Sequence, residues 1–341
     1  MNLFDALYIN SFGGKTILEG IINQLILKNR EDYFFIFDSR LDPIVYSNIT
    51  DENYIILHPK EKDRKQYYLK NKDDFNSFIC LSNIPPPIRI KDKNVFILFH
   101  NVLFLESFNK NKPLNFVFLN FLKRQYIILK KQNNYNWITQ SYLVRKKLSD
   151  SFQIYKNQIS VFPIFKEEFL SFTKEKCTND FVYVSSGASH KNHKRLIKAF
   201  ISAAIKTNME IKLHLTLSKD ELPRYVLPKN LKIEFHGTLS IDAVNELYNS
   251  CEFAIYPSLV ESFGLPLIEA SNHNCKVIAS NLPYVHEIIK PSITFDPYSV
   301  ESISNSILKA TETDNLPETK VLVENKLDNF VDFIISQDVQ K

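Results

Sequence analysis

Tyr256-Pro257-Ser258-Leu259-Val260-Glu261-Ser262-Phe263-Gly264-Leu265-Pro266-Leu267-Ile268-Glu269 decides the architecture. It follows Phe253-Ala254-Ile255-Tyr256, a short apolar run of the kind that forms a strand buried on both faces. Pro266 suits the start of a helix, and Leu267, Ile268 and Ala270 give that helix an apolar side. Gly264 lets the backbone approach a ligand closely or take a positive φ. Strand, loop and helix start together form the place where open α/β sheets bind ligands. A helix N-terminus offers free N–H groups and a positive dipole end, which suits a phosphate. Glu261 in the loop and Glu269 about one turn into the helix can both face that crevice. A carboxylate beside an anion site is better suited to sugar hydroxyls, or to positive charge developing at a sugar carbon. Taken singly, Glu269 reads as a dipole-compensating first-turn residue and Glu261 as a solvated loop residue.

Together, the segment Pro257 to Glu269 resembles the Glu-x-Phe-Gly-x-x-x-x-Glu signature of family 4 retaining glycosyltransferases. The similarity continues through Ala279-Ser280-Asn281-Leu282-Pro283, Glu287 and Phe295-Asp296-Pro297. It implies an α/β protein of the GT-B fold, two doubly wound Rossmann-like domains facing across a cleft. It implies transfer of a sugar from a nucleotide-sugar donor, GDP- or UDP-linked, to a hydroxyl of a glycan acceptor with retention. The acceptor class implied is a lipid-linked glycan of bacterial surface polysaccharide synthesis, of O-antigen or capsule type. Glu261 would sit by the sugar, and Ser262, Phe263, Gly264, Leu265 and Glu269 would line the donor site, Glu269 taking the ribose hydroxyls.

Working upstream, Phe181-Val182-Tyr183-Val184-Ser185 is a further strand, followed by Ser186-Gly187-Ala188-Ser189-His190-Lys191-Asn192-His193 and a helix from Lys194 to Ile205. This is again a strand, a glycine-bearing loop and a helix start, and Lys191 supplies a point charge where a diphosphate would gather. The loop resembles that of the family branch with a His-Lys-Asn-His sequence, which adds Asn192 and Ser186 to the donor site. Many members carry a Gly-Arg pair where this chain has Ser185-Ser186, so more of the neutralisation falls to Lys191. His190 and His193 bring no local carboxylate or Cys, so no metal is expected there. His236-Gly237 and Leu239 resemble the loop that holds the nucleobase. With basic side chains and helix ends available, neither a metal nor any cofactor besides the nucleotide sugar is expected.

In the first half, Leu7–Asn10 is expected as a strand before Gly13-Gly14 and a helix from Ile17 to Leu27. Gly14-Lys15-Thr16 invites a P-loop, but that motif needs Gly where Ile9 stands. By resemblance Gly13 and Gly14 belong to the loop across the cleft from the donor phosphates; a plain tight turn is the alternative. Strands are expected at Tyr33–Phe37, Tyr54–Leu57, Phe78–Leu81, Val95–Phe99 and Trp137–Ser141, an alternation with helices that argues a doubly wound parallel sheet. His100 follows directly on a strand, at the carboxyl edge where ligands sit; by resemblance to the family it is a catalytic candidate on the acceptor side, and a structural histidine is the alternative. Val161–Phe165 resembles the family's hinge. The expected domains are 1–165 for the acceptor and 166–318 for the donor, with 319–341 a helical tail crossing back.

The chain has 341 residues, 44% hydrophobic and 23% charged, as in soluble globular proteins of two domains. No apolar run reaches the ~18–20 residues of a membrane span, and the N-terminus has no basic-then-apolar signal pattern. Four cysteines without Cys-x-x-Cys spacing suit reduced thiols in the cytoplasm. The net charge of +4 is uneven: His100 to Ser160 holds ten Lys and Arg against two acidic residues, a net +8. That region includes the apolar and basic stretch Pro113–Lys131, either a core helix with a solvated face or a surface resting on an anionic membrane. A peripheral place on the inner face of the cytoplasmic membrane is therefore expected. No nucleic-acid motif accompanies the charge. Two other classes remain: a sugar-nucleotide epimerase or hydrolase of the same fold acting on the donor alone, and an inactive binding subunit.

Overall fold

Runs of large apolar residues, each followed by a polar turn, settle into central strands buried on both faces, and the segments between them wind into helices over those faces. The structure, a computed structural model, describes residues 1–10, 12–105, 114–166 and 176–336. It divides into two units: Met1–Glu167 with Glu324–Lys341, and Glu168–Val323.

The first unit runs β1 (Asn2–Asp5), α1 (Phe12–Leu27), β2 (Tyr33–Asp38), β3 (Tyr54–Leu57), α2 (Glu61–Asn71), β4 (Ser77–Cys80), β5 (Asn94–Phe99), α3 (Leu114–Lys130), β6 (Asn136–Thr139), α4 (Tyr142–Phe152) and β7 (Ile159–Val161). The seven strands lie parallel in the order β3-β2-β1-β4-β5-β6-β7. The order reverses between β1 and β4, which makes that gap the switch point of the sheet.

The first strand is not where the apolar pattern put it. Leu7–Asn10 is a loop, and β1 is Asn2–Asp5, all four side chains buried. The disguise is Asp5, whose carboxylate accepts hydrogen bonds from Arg64 Nε at 2.7 Å and Tyr68 Oη at 2.8 Å inside the core. Tyr8, at φ 77, ends the run by donating its N–H to Asp38. Gly13 and Gly14 are consequently part of the first turn of α1, not of the loop before it. The proline run supplies carbonyls: Pro85 accepts from Arg64 and Pro87 from Lys130.

The second unit runs β8 (Cys177–Tyr183), α5 (His193–Lys206), β9 (Ile211–Leu215), β10 (Leu231–Phe235), α6 (Ile241–Ser250), β11 (Cys251–Tyr256), α7 (Leu265–Asn272), β12 (Lys276–Ser280), α8 (Pro283–Ile288), β13 (Ile289–Lys290), β14 (Ile293–Phe295), α9 (Val300–Glu312) and β15 (Lys320–Val321). Six strands are parallel in the order β10-β9-β8-β11-β12-β14, with the reversal between β8 and β11. The tail is not one helix from Lys320. Residues Lys320–Val321 pair antiparallel with β13, and only Leu327–Ser336 is helical, its start fixed by the Asn325 side chain. That C-terminal helix packs on α1 in the first unit, where Leu327 fills the space at Gly20 and Lys28 bridges Asp328 and Asp332.

Among the described residues, no helix is long and apolar enough to cross a membrane.

Candidate active site

In the second unit, the loops after β8 and β11 meet at the switch point. Asn192 adopts φ 65, and its Nδ2 donates to the carbonyls of Pro257 (3.1 Å) and Pro297 (2.8 Å). The Leu259 N–H donates to the His190 carbonyl at 2.8 Å. These bonds tie the loops together and so hold Lys191 against Glu261. Its Nζ lies 2.6 Å from Glu261 Oε1, with the side chains 15% and 18% exposed. A pair so placed is screened from bulk water, yet a ligand can still reach it.

Tyrosine hydroxyls build the floor. Tyr183 donates to the Lys191 carbonyl and lies 2.9 Å from Ser258 Oγ, while Tyr284 donates to the Ser258 carbonyl at 2.9 Å. Burial pushes both phenols well above their ordinary titration, so they stay neutral. The crevice above is lined by Lys191, Glu261, Gly264, Ser258 and Tyr284. His193 belongs beneath it: Nε2 is 2.9 Å from Ser185 Oγ. Burial, then the nearby charge of Lys191, pulls its pKa down to about 4.

Two helices start at this crevice without side-chain caps. Gly264, at φ 89 and with no side chain to offer, begins α7, and Asn192 begins α5 without its side chain accepting a cap hydrogen bond. In α4, α6 and α9, by contrast, Ser141, Ser240 and Ser299 cap the first turn. An uncapped start leaves N–H donors for an anion. Glu269 lies in α7, half-buried, with Ser262 and Phe263 in the loop before it and Leu265 as the first helical residue. Ser186 is exposed. Gly237 takes φ +67 just beyond β10, two strands from β8.

The first unit gathers its own cluster. His100, directly after β5, donates its N–H to Asn83 Oδ1 at 2.6 Å, and its Nε2 lies 3.3 Å from Asn83 Nδ2. A side chain at Gly14 would stand 3.8 Å from His100 Nε2. The start of α1 and the loops after β4 and β5 therefore converge as Gly14, Asn83 and His100. Burial pulls the His100 pKa down to about 4, so the imidazole is neutral, and its buried Nδ1 has no protein partner. Asn83, held at φ 70, was missed from the sequence. A polar turn residue just past an apolar strand was its only signal, and only the strand order gives that position meaning.

The basic stretch differs from expectation. Lys123 lies over the Phe104 ring at 5.1 Å and Arg124 over Phe152 at 5.7 Å. Lys130 donates to the Pro87 carbonyl and Lys131 to that of Phe152. These cationic heads are turned to the protein, while Phe118, Leu119, Phe121, Leu122 and Leu129 are exposed, Leu129 to 76%. Lys110, Lys112, Phe108 and Glu106 lie outside the described residues. As for metals, the described His, Cys and carboxylate side chains that gather within reach of one ion are His214, Glu234 and His236, not His190 and His193.

Residues 165–326, a little under half of the chain, match the family described as glycosyl transferases group 1. The O-antigen chain mannosyltransferase RfbU of Salmonella typhimurium is 30% identical over 156 residues, 45% of this chain and 44% of that protein. The match thus spans under half of this curated relative's length. Two solved structures align over nearly the whole chain. WaaG, a glycosyltransferase involved in lipopolysaccharide biosynthesis, has a TM-score of 0.64 at 13% identity, covering 100% of this chain and 96% of that one. A glycosyltransferase from Rickettsia africae has a TM-score of 0.62 at 14% identity, covering 99% and 92%. This likeness establishes the fold, the paired parallel-sheet α/β units of the GT-B class.

Proposed function

We propose that this chain is a glycosyltransferase that moves a sugar from a nucleotide-sugar donor to a glycan hydroxyl in surface polysaccharide synthesis, with anomeric configuration retained. The observation that carries the proposal is the Lys191–Glu261 pair, 2.6 Å apart between two uncapped helix starts at the switch point of the second sheet. Incoming diphosphate takes over Lys191 and the N–H groups of α5 and α7. Positive charge thereby meets the leaving group where negative charge grows in the transition state. Glu261, released from Lys191, faces the sugar and stabilises its oxocarbenium character. Glu269 takes ribose hydroxyls, and Gly237 borders the base. Lys191 and the helix ends supply the neutralising charge, so the transfer as proposed needs no catalytic metal. Neutral His100, oriented by Asn83, serves the acceptor hydroxyl.

The group 1 match over residues 165–326 and a relative named as an O-antigen chain mannosyltransferase support this reading and favour a mannosyl donor. The test is a panel of GDP- and UDP-sugars, GDP-mannose included, with and without lipid-linked glycan acceptors. Release of nucleoside diphosphate only when acceptor is present, with a product of retained configuration, is expected. Turnover of the donor alone to an altered sugar would replace transfer by epimerisation. No turnover across the panel would remove the enzymatic assignment.

The same reading places the acceptor on a membrane. The exposed apolar side chains of α3 are suited to inserting at the boundary between headgroups and acyl chains, with Lys123 at their margin. Because the heads of Arg124, Lys130 and Lys131, like that of Lys123, are engaged with protein groups, apolar insertion dominates over charge. Co-sedimentation with anionic liposomes should survive moderate salt, and should be lost in a Phe118→Ser, Leu122→Ser, Leu129→Ser variant. Wild-type protein left in the supernatant would remove the membrane from the proposal.

A further inference from the structure

We propose that His214, Glu234 and His236 form a binding site for a divalent transition-metal ion of the zinc class, at the edge of the second unit's sheet. His214 is on β9 and Glu234 is its register partner on β10; His236 follows two residues on. Register and the two-residue period put all three side chains on one face.

Their ligand atoms are spaced as a tetrahedral ion would space them. His214 Nδ1 is 2.9 Å from His236 Nε2 and 3.4 Å from Glu234 Oε2, and the last two atoms are 4.0 Å apart. Bonds of about 2.0–2.1 Å put tetrahedral ligands roughly 3.3–3.4 Å apart, a value these separations bracket. Small side-chain rotations therefore close the site around an ion.

The surrounding groups prepare those atoms. His214 Nε2 lies 3.3 Å from Asp180 Oδ2, the carboxylate–histidine arrangement that fixes a tautomer and leaves Nδ1 as a lone pair. Lys212 holds the same Asp180 oxygen at 3.1 Å. Lys232 takes Glu234 Oε1 at 2.6 Å, leaving Oε2 for the centre of the cluster. His214 Nδ1 then accepts a hydrogen bond from His236 Nε2 at 2.9 Å and stands 3.4 Å from Glu234 Oε2, so an ion that displaces the one shared proton finds all three ligand atoms already gathered.

With two imidazoles and one carboxylate, the fourth position is open to water. β10 is an edge strand held on one side only. An ion here clamps it to β9 and fixes the chain at Gly237, whose N–H donates to the Leu217 carbonyl.

The test uses the full-length chain stripped with chelator and titrated with Co²⁺, then Zn²⁺. One Co²⁺ per chain, with strong tetrahedral d–d absorption, no thiolate charge-transfer band and displacement by Zn²⁺, is expected. Zn²⁺ should also raise the melting temperature of the second unit. His236→Ala and Glu234→Gln, at half-buried positions that leave the core intact, should each weaken binding at least ~10-fold, and Asp180→Asn by ~10-fold or more through His214. His286→Ala, at a distant surface histidine, should bind as wild type. A weak octahedral spectrum, or equal affinity in wild type and the Glu234 and His236 variants, would overturn the site.

Discussion

The two units use the same topology to opposite ends, and the contrast lies in their cations. In the first, Arg64 is paired with Asp5 at 2.7 Å with both side chains fully buried. The guanidinium also lies over the Tyr68 ring and meets Cys80, the Pro85 carbonyl and Glu61 Oε1 at 3.4 Å. Nothing can reach that charge, so the pair is structural. In the second, Lys191 and Glu261 form an equally short pair that remains partly accessible, between helix ends that no side chain caps. An anion can exchange for Glu261 there, and the pair acts as a placeholder for a ligand. Burial, not distance, separates a strut from a site.

The largest test breaks the strut. Arg64→Met leaves the Asp5 carboxylate buried without its counter-charge, which costs about 3–5 kcal/mol. Trp137, the single tryptophan, is buried in β6 and reports the first unit alone. Its fluorescence should show early unfolding while the second unit melts as before, and adding Asp5→Asn should restore much of the loss. A Trp137 transition that does not move would mean that the pair carries no structure.

Acid offers a test of the second unit. The His193 pKa falls from 6.5 to about 4 in the folded chain, so the unfolded chain binds a proton that the folded one refuses. Stability therefore stays whole above 6.5 and is lost as pH falls toward 4, by roughly 3 kcal/mol. His193→Gln should flatten that limb in denaturant melts followed by tyrosine near-UV dichroism. An unchanged slope would assign the acid sensitivity elsewhere.

Breaking the placeholder should leave the fold untouched. Glu261→Gln is expected to lower transfer ~100-fold or more, about 2.7 kcal/mol in barrier, with normal melting. Near-normal turnover in the folded variant would remove Glu261 from the mechanism.

How far the sequence disclosed this contrast depends on what each residue looks like without its partners. Apolar runs such as Phe253–Tyr256 and Val95–Phe99 announce buried strands, and Gly264 with Pro266 announces the loop and helix that follow. Asp5 concealed β1 because a buried carboxylate looks like a turn residue until Arg64, far along the chain, is seen to neutralise it. Tyr183 and Tyr284 look like core aromatics, and only the folded chain shows their hydroxyls holding the Lys191 and Ser258 carbonyls. The basic stretch was legible as charge but not as direction, since stems of Lys and Arg can turn their heads to carbonyls or rings. The His214 cluster was invisible because its members come from two strands whose register no local pattern reveals.

The smallest effect is the most discriminating, because it asks what Lys191 gives up when a ligand arrives. In the free chain this cation already enjoys Glu261, so exchanging that partner for a diphosphate gains less than an unpaired lysine would. Lys191→Ala should then weaken binding of GDP or UDP only roughly tenfold, about 1.4 kcal/mol. Part of that loss is repulsion from a Glu261 no longer neutralised, so the two positions should not be additive. Calorimetry on Lys191→Ala with Glu261→Gln should show the double variant binding nucleoside diphosphate more tightly than Lys191→Ala alone. Restoring charge on the same loop as Ser186→Arg, at an exposed position, should recover affinity in the single variant as well. A double variant no better than Lys191→Ala would mean that the Glu261 charge is not felt by the bound diphosphate, and the exchange would be lost as the working principle of the site.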